Sequence, residues 1–402
     1  MMRPWSIAAS LLIVCAGAGL FMIYFLNGTR PMDERAPAPV ALPFSGMPGW
    51  KDDDHGKAFA VFRRSCDWIL KVDEARARKG SDKSGPHPLV DICQAALTLG
   101  EELESGAARK FFETHFTPHR YPGDKAEGFV TGYYEPELKG SRAFSESFPV
   151  PVYAVPGDLV QLFPDAERAR RNHEMTAGRK TAGGIVPYYD RKEIEQGALE
   201  GRGLEILYLA DWTDAFYMHV QGSGRVELEG GEHVRLSYAA KNGHSYTAIG
   251  KRLIERGAIS RDEMSMEAVR GWLKANPDQA RPLMWENRSY IFFSQLPLSE
   301  AASGPVGSQG VALTPLRSLA VDTSLHPLGT PVWVNAPGLE WQGRSGFAQL
   351  MIAQDAGSAI RGPQRGDIFF GSGAAAGDSA GATRHKTEFI LLLPNGDTPA
   401  RR

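Results

Sequence analysis

The sequence predicts a mainly β protein with an N-terminal helical part. Helical periodicity runs from about Lys57 to Ala77, from Leu89 to Glu104 and from Ala107 to His115. From Gly128 onward the chain changes to short runs of β-branched and aromatic residues, which glycine and proline interrupt. A length of 402 residues and a hydrophobic content of 42% suit two domains with sizeable cores.

The predicted elements follow one another along the chain. Before the helices, the proline-rich stretch from Asn27 to about Pro43 is typical of a linker. The first strands are predicted at 129–131, 150–154, 206–209, 215–220, 225–228 and 233–237. Ser245 and Ser265 are suited to cap two helices, the second of which ends at Asn276-Pro277. Further strands are predicted at 290–293, 311–315, 318–322, 331–334, 347–353, 367–370 and 389–393.

The charge balance excludes one class of partner. The formal net charge is -2, and the chain contains no long basic run. Proteins that hold nucleic acid electrostatically usually present a strongly basic face. We therefore expect no nucleic-acid partner.

The N-terminal segment predicts the location of the protein. From Ile7 to Leu26 there is no charged residue, and this segment is long enough to cross a hydrocarbon core of ~30 Å. Arg3 precedes it and favours a cytoplasmic N-terminus. We therefore expect a single N-terminal span in the inner membrane, with the rest of the chain in the periplasm. A cleaved signal peptide is the alternative, because Ala16 to Gly19 are small residues of the kind found at cleavage sites.

Two cysteines remain outside this segment. Cys66 and Cys93 each lie on a predicted helix, whereas Cys15 lies in the apolar segment. In an oxidising compartment Cys66 and Cys93 could form a disulfide worth roughly 3 kcal/mol. Two buried free thiols are the alternative. No metal site is expected, since two cysteines without a suitably placed histidine do not bind zinc.

One acidic residue stands in a position suited to catalysis. An apolar run from Phe347 to Ala353 leads through Gln354 into Asp355, and small residues follow. A carboxylate at the end of a buried strand can face a cleft while its backbone is held rigid. The alternative is that Asp355 caps a helix beginning near Gly357. The dipole of such a helix would lower the pKa of Asp355, whereas burial would raise it.

Six sequence blocks fall in one order along the chain. They are 128–136 (GFVTGYYEP), 219–224 (HVQGSG), 287–293 (NRSYIFF), 310–320 (GVALTPLRSLA), Asp322 with 326–329 (HPLG), and the segment around Asp355. In these blocks, from Gly128 to about His385, the chain resembles the membrane-bound lytic murein transglycosylase A family. Each block alone is common turn chemistry, but the six in this order are specific.

The resemblance implies a double-psi β-barrel domain interrupted by a second, smaller β domain, with a groove between the two. The implied division of the chain is an anchor and linker at 1–43, the helical part and first barrel segment at 44–135, the inserted β domain at 136–286, the rest of the barrel at 287–395 and a tail at 396–402.

The resemblance also implies a reaction. A lytic transglycosylase cleaves the β-1,4 bond between N-acetylmuramic acid and N-acetylglucosamine in peptidoglycan, and it needs no metal or organic cofactor. A single acid, here Asp355, protonates the leaving oxygen and then accepts the proton of the C6 hydroxyl, which attacks C1 in place of water. The product is 1,6-anhydro-N-acetylmuramic acid. Such an acid needs a raised pKa.

Further residues match positions that bind the glycan in this family. They are Thr131, Tyr133, Tyr134, Gln221 and Ser223. The alternative for any of the aromatic residues is a place in the core. Asp322 and Asp367 are expected to be supporting residues or turn caps. Asp378 is expected in a solvated turn.

Two other functions are compatible with parts of the sequence. Asp322 and Asp355 each lie in a loop that resembles those of aspartic proteases, but they are too close in sequence for one loop in each of two similar lobes. A non-catalytic wall-binding protein is the third hypothesis, because a barrel fold does not fix a function.

Overall fold

The computed structural model describes residues 38–79, 87–122, 128–163, 175–296, 304–341 and 344–396. The apolar segment Ile7–Leu26 lies outside these residues. Within the described ranges, no helix is both long enough and apolar enough to cross a membrane.

Three helices form the N-terminal helical part, as predicted, although the second ends at Leu97 rather than Glu104. They are α1 (His55–Lys79), α2 (Val90–Leu97) and α3 (Ser105–His115), and the short strands β1 (Val40–Ala41) and β2 (Phe116–Arg120) flank them. Aromatic side chains on their inner faces, among them Phe59, Phe62 and Phe112, pack in one cluster with Trp333. The helical part therefore covers one outer side of the sheet that follows.

That sheet closes into a six-stranded barrel. Its strands, in spatial order, are β17 (Arg384–Pro394), β14 (Pro331–Trp341), β15 (Arg344–Ala356), β13 (Ser318–Val321), β16 (Arg365–Ser372) and β3 (Gly128–Glu135), and β3 pairs again with β17. Two of the pairs, β13 with β15 and β16 with β3, are parallel. The barrel contains the strand predicted at 129–131 and those predicted between residues 318 and 393.

Alternation of side chains explains the apolar runs in the barrel strands. In β14, Val332 and Val334 point into the barrel, whereas Trp333 points out toward the helices. In β15, Met351 points inward and Ile352 outward in the same way. Because successive side chains of a strand face opposite sides, a strand buried on both faces has no polar position.

The intervening segment forms a second six-stranded sheet. Its strands, in spatial order, are β12 (Ile291–Leu296), β11 (His233–Lys241), β10 (Ser223–Leu228), β4 (Glu137–Ser141), β9 (Glu205–Leu209) and β5 (Val150–Tyr153). A small separate sheet contains β6 (Leu159–Gln161), β7 (Ala177–Thr181) and β8 (Gly184–Pro187). Since β12 pairs with β11, the second sheet extends past the boundary expected at residue 287.

One predicted strand is a helix. Residues 215–220 belong to α4 (Trp212–Gln221). The Asp211 side chain caps it by accepting a hydrogen bond from the Asp214 amide at 2.9 Å, and Gly222 ends it with φ of 81°. Both sides of α4 are buried, with Met218 against the sheet and Phe216 against other helices. A helix buried on two sides has the continuous apolar run of a strand.

The remaining differences from the sequence predictions are local. The structure contains α5 (Ile249–Glu255), α6 (Met266–Ala275), α7 (Pro277–Trp285) and α8 (Ala374–Ala382). Ser265 caps α6 as predicted, but α5 begins after Ala248 rather than at Ser245. Residues 311–315 form no strand beyond an isolated bridge at Ala312. Asp378 lies in α8, not in a turn, although its side chain is exposed.

A buried ion cluster joins the two sheets. Glu135, at the end of β3, is fully buried. Its carboxylate accepts two hydrogen bonds from Arg235 of β11, at 2.7 and 3.2 Å, and pairs with Arg225 of β10 at 3.2 Å. Ser372 of β16 donates a further hydrogen bond at 2.6 Å. Because removing one partner would leave a buried charge uncompensated, this cluster fixes where the chain passes from barrel to second sheet.

A disulfide links two of the N-terminal helices. Cys66 of α1 and Cys93 of α2 are bonded and fully buried, with their Cα atoms 4.9 Å apart. Closing a loop between residues 27 positions apart in the sequence is worth about 3 kcal/mol.

We expect reduction of this disulfide to lower the melting temperature, because the unfolded chain regains the loop entropy. The measurement is thermal unfolding with and without reductant. A Cys66→Ser, Cys93→Ser double variant is the control, and reductant should not change its melting temperature. Titration of two free thiols in the unreduced, unfolded protein would contradict the bridge.

Candidate active site

The position of Asp355 depends on an irregularity in β15. Leu319 of β13 pairs with Ala353, but the next residue of β13, Ala320, pairs with Asp355 instead of Gln354. Leu319 and Ala353 both point into the barrel. The extra residue turns Asp355 to the outer face, where strict alternation would have placed it inside.

Other predicted site residues lie on the same outer face. Across the neighbouring strands, Ala320 pairs with Asp367 of β16, and Asp367 pairs with Thr131 of β3. Tyr133 lies two residues beyond Thr131 on β3 and therefore faces the same way. The barrel thus brings together four of the predicted residues, from strands far apart in the sequence.

The two oxygens of the Asp355 carboxylate have different surroundings. Oδ1 accepts three hydrogen bonds, from the Ser308 amide at 2.8 Å, the Ser308 hydroxyl at 2.7 Å and the Ala356 amide at 2.8 Å. Oδ2 accepts one, from the Tyr133 hydroxyl at 3.0 Å. Oδ2 is therefore the oxygen better placed to carry and transfer a proton.

The surroundings of Asp355 favour its protonated form. Burial raises the pKa of Asp355 above 3.8 and outweighs the hydrogen bonds from Ser308, Ala356 and Tyr133, which lower it. Among the described residues, no lysine or arginine forms an ion pair with this carboxylate. Burial, and then the charge of Asp355, raise the pKa of Tyr133 as well, so Tyr133 remains a hydroxyl donor.

The alternative of a helix cap at Asp355 is wrong. Strand β15 continues to Ala356, and a turn follows in which the Ile360 amide donates to the carbonyl of Gly357 at 3.0 Å. No helix begins at Gly357, so no helix dipole lowers the pKa of Asp355.

Asp367 is held by a cation. Arg365 forms an ion pair with its carboxylate, and the Thr131 hydroxyl donates to the same oxygen. Arg365 also donates to the Thr131 hydroxyl oxygen at 2.7 Å. These contacts tie β16 to β3 and suit a supporting role for Asp367.

The two tyrosines of the first block differ. Tyr133 is partly exposed, bonds Asp355 and packs on Phe369 with 5.3 Å between ring centroids. Tyr134 is buried in the barrel core, and a side chain at Gly377 would lie 2.9 Å from its ring. The contacts of Tyr134 therefore favour the core alternative.

Gln221 connects the second sheet to the barrel. Its side-chain oxygen, at the end of α4, accepts a hydrogen bond from the Tyr134 amide at 3.1 Å. Ser223 follows at the start of β10, where it is buried and pairs with Ser237. Gln221 is thus beside the barrel strand that carries Thr131 and Tyr133, whereas Ser223 is part of the sheet.

The contacts of Asp322 favour a structural role. Its carboxylate accepts hydrogen bonds from the Ser324 amide at 3.1 Å, the Ser324 hydroxyl at 2.7 Å and the Gly362 amide at 2.9 Å, and Arg361 lies 3.6 Å away. Asp322 and Asp355 have separate sets of donors. The pair is therefore not arranged to share a proton in the manner of an aspartic protease.

Two histidines in the matched blocks are also bound within the fold. His326 Nε2 lies 2.8 Å from the Pro363 carbonyl, and His219 Nδ1 lies 3.3 Å from Arg191. Burial lowers the pKa of both. In the described part of the chain, no group of three His, Cys, Asp or Glu side chains is arranged to hold a metal ion.

Sequence reasoning did not single out three residues of this site. Ser308 lies in a loop without a distinctive motif, Arg365 was indistinguishable from other surface arginines, and Tyr246 follows β11. The charge of Asp367 contributes to the raised pKa of Tyr246, behind burial as the main cause and against the effect of Arg191. Only the closed barrel brings Ser308 to Asp355 and Arg365 to Thr131.

Comparisons with known proteins match both β-rich parts of the chain. Residues 129–294 match the MltA specific insert domain, and residues 317–393 match the 3D domain. The chain is 36% identical to membrane-bound lytic murein transglycosylase A of Vibrio cholerae over 286 residues. The aligned region covers 69% of each chain. The structure of a membrane-bound lytic murein transglycosylase from Agrobacterium tumefaciens matches with a TM-score of 0.77 and 36% identity, over 89% of this chain and 98% of that one.

A carbohydrate complex is among the similar structures. Escherichia coli MltA with bound chitohexaose matches with a TM-score of 0.62 and 26% identity, over 91% of this chain and 99% of that one. The two domain matches, the Vibrio cholerae relative and the shared barrel together show that the chain belongs to the membrane-bound lytic murein transglycosylase A family.

Proposed function

We propose that this protein is a peptidoglycan lytic transglycosylase that cleaves the β-1,4 bond between N-acetylmuramic acid and N-acetylglucosamine. The observation that carries the proposal is Asp355, a carboxyl group without a cationic partner in the described chain and with a raised pKa, on the outer face of the barrel. The relative that binds chitohexaose supports a β-1,4-linked glycan as ligand.

Asp355 would act twice in the reaction. Its proton, on Oδ2, passes to the glycosidic oxygen as the bond to C1 of the muramic acid breaks. The C6 hydroxyl of the same sugar then attacks C1, and its proton returns to Oδ2. The carboxyl group is regenerated, and the product is a 1,6-anhydro sugar. No second carboxylate is required, in contrast to the paired acids of most glycoside hydrolases.

The neighbouring residues would hold the glycan and the acid. Thr131 and Tyr133 lie on the same face as Asp355, and Gln221 approaches β3 from the second sheet. We infer that the strand of sugars lies along this face, in a groove between the barrel and the second sheet. Tyr133 offers an aromatic face to a sugar as well as its hydroxyl to Asp355.

Product analysis of digested sacculi tests the proposed function. A lytic transglycosylase releases muropeptides that end in 1,6-anhydro-N-acetylmuramic acid, which mass spectrometry identifies. Release of reducing muramic ends would show a hydrolase, release of peptides a protease, and release of nothing a wall-binding protein. Each of these three results would overturn the proposal.

Asp355→Asn should lower the rate of anhydro-product release by about 10²–10⁴-fold, because an amide neither donates the required proton nor accepts one. Binding to sacculi should persist, since Thr131, Tyr133 and Gln221 are unchanged. Asp322→Asn is the comparison variant, and it should lower the melting temperature more than the rate. Loss of activity in folded Asp322→Asn, with near-normal activity of Asp355→Asn, would place the acid elsewhere.

The pH dependence should show the raised pKa of Asp355. The acid must be protonated before the first step, so kcat/KM should fall as pH rises through its pKa. Because burial raises that pKa, the fall should occur above pH 3.8, the ordinary value for an aspartic acid. The measurement is kcat/KM on soluble glycan strands across pH. A fall centred at or below 3.8 would contradict the assignment.

We infer that the segment Ile7–Leu26 is retained as a single span in the inner membrane, with the rest of the chain in the periplasm. Its lack of charge and the membrane-bound relatives support this location. The protein should fractionate with inner membranes and keep its N-terminus, as mass spectrometry of the mature chain would show. A mature N-terminus beyond Ala16 would instead indicate a cleaved signal.

A further inference from the structure

The loop at 304–316 approaches the Asp355 carboxylate from outside the barrel strands. Ser308 is exposed to solvent, yet its amide and its hydroxyl both donate to Oδ1 of Asp355, at 2.8 and 2.7 Å. With the Ala356 amide, these bonds give Oδ1 three donors, whereas Oδ2 has the Tyr133 hydroxyl alone among the described residues. Ser308 therefore supplies two of the three donors that distinguish Oδ1 from Oδ2, one of them from its side chain.

We propose that Ser308 is a positioning residue, which fixes the rotation of the Asp355 carboxyl group and keeps the transferable proton on Oδ2. The inference rests on the proposed function of Asp355 as the acid. An oxygen that already accepts three hydrogen bonds has no lone pair left for a proton in good geometry. Oδ2, beside Tyr133, then faces the glycosidic oxygen in every turnover.

A buried polar network holds the residue next to Ser308. The Gln309 amide donates to the Gln354 carbonyl at 3.0 Å, and the Gln309 side-chain oxygen accepts from the Ser65 hydroxyl of α1 at 2.8 Å. Both glutamines and Ser65 are fully buried. The loop that carries Ser308 is therefore bonded to the N-terminal helical part at a buried point, where water does not compete for these hydrogen bonds.

The same network holds the extra residue of β15. The Gln354 side-chain nitrogen donates to the Ser65 hydroxyl at 2.8 Å and to the Val61 carbonyl at 3.2 Å, and its oxygen accepts from the Ser318 hydroxyl at 2.6 Å. Asp355 directly follows Gln354, and Ser308 directly precedes Gln309. Ser65 of α1 thus sets the separation between the acid and the residue that orients it.

Close packing supports the fixed position of the loop. A Cβ atom built on Gly307 would lie 2.7 Å from the Gln354 carbonyl oxygen and 2.6 Å from the Leu313 side chain. Contacts this short leave no room for another residue type without movement of the backbone. Ser308 is therefore presented to Asp355 by a loop that packs closely against β15.

The chain contains a matched control for this contact. Ser324 donates its amide and its hydroxyl to Oδ1 of Asp322, with the hydroxyl bond at 2.7 Å as in the Ser308 contact. Asp322 is bound by Gly362 and Arg361 as well, in a turn of the barrel. Ser324→Ala therefore removes the same kind of bond without touching the acid.

The decisive experiment compares Ser308→Ala, Ser308→Thr and Ser324→Ala in the full-length protein. Ser308→Ala should lower kcat by about 10- to 100-fold, the effect of losing one hydrogen bond to a charged group, with little change in KM. Ser308→Thr keeps the hydroxyl and should restore most of the rate. Ser324→Ala should leave kcat unchanged. A wild-type kcat for Ser308→Ala would overturn the inference.

A pH profile separates positioning from a merely structural effect. The Ser308 hydroxyl bond lowers the pKa of Asp355, so its loss in Ser308→Ala should move the alkaline fall of kcat/KM to higher pH. Among the described residues, Tyr133 of β3 contacts Asp355, and Asp367 of β16, paired with Arg365, lies behind Tyr133. None of these residues is altered. An unshifted profile in Ser308→Ala would contradict the inference.

Carbon-13 NMR titration of labelled aspartate carboxyl groups makes the test independent of turnover. The Asp355 signal is identified by its absence in Asp355→Asn. In Ser308→Ala its midpoint should rise, and in Ser324→Ala it should not. If the midpoint shifts in Ser308→Ala but the wild-type protein releases no anhydro product, the role of Ser308 toward Asp355 stands and the proposed function is refuted. Anhydro products with an unshifted midpoint would refute the role of Ser308 alone.

Discussion

The register shift between β13 and β15 is the constraint on which the site depends. Ala353 faces the barrel interior with Leu319, and a regular strand would place Asp355 there too. An ionisable group in that apolar interior would be costly and inaccessible to a glycan. One extra residue, Gln354, turns Asp355 to the outer face, and buried hydrogen bonds to Ser65 and Ser318 hold that residue. The site therefore follows from a local departure from the strand period.

The surroundings of each carboxylate decide its role. Glu135 is matched by two arginines, Asp367 by Arg365 and Asp322 by Arg361 and backbone donors. These groups join strands and turns. In the described chain Asp355 has hydrogen-bond donors but no cation, and burial raises its pKa. A single acid is thereby set apart from a group of similar residues, which fits a reaction in which the substrate supplies its own nucleophile.

The N-terminal helical part contributes to the position of Asp355 as well as to stability. It covers the outer faces of β14, β15 and β17 at Trp333, Leu350, Ile352, Ile390 and Leu392, which explains the apolar runs around these residues. Arg317, at the start of β13, forms two hydrogen bonds with Asp53 just before α1, at 2.8 and 2.7 Å. Ser65 of α1 forms hydrogen bonds with Gln354, next to Asp355, and with Gln309, next to Ser308. The uncovered part of the barrel wall is the part that carries Thr131, Tyr133 and Asp355.

The sequence by itself determined the helical part, most barrel strands and the candidate acid. Periodicity and the order of sequence blocks can both be read along the chain without a structure. The sequence did not determine that residues 215–220 are helical, since Ala215 to His219 are buried in one unbroken run, as in a buried strand. Nor did it distinguish Tyr133 from Tyr134, which alternation sends to opposite faces of β3. Ser308 and Arg365 became recognisable only in the closed barrel. Asp355 is far from Ser308 in the sequence, and Thr131 is far from Arg365. Contacts of that kind are set by register and closure, which no single stretch of sequence contains.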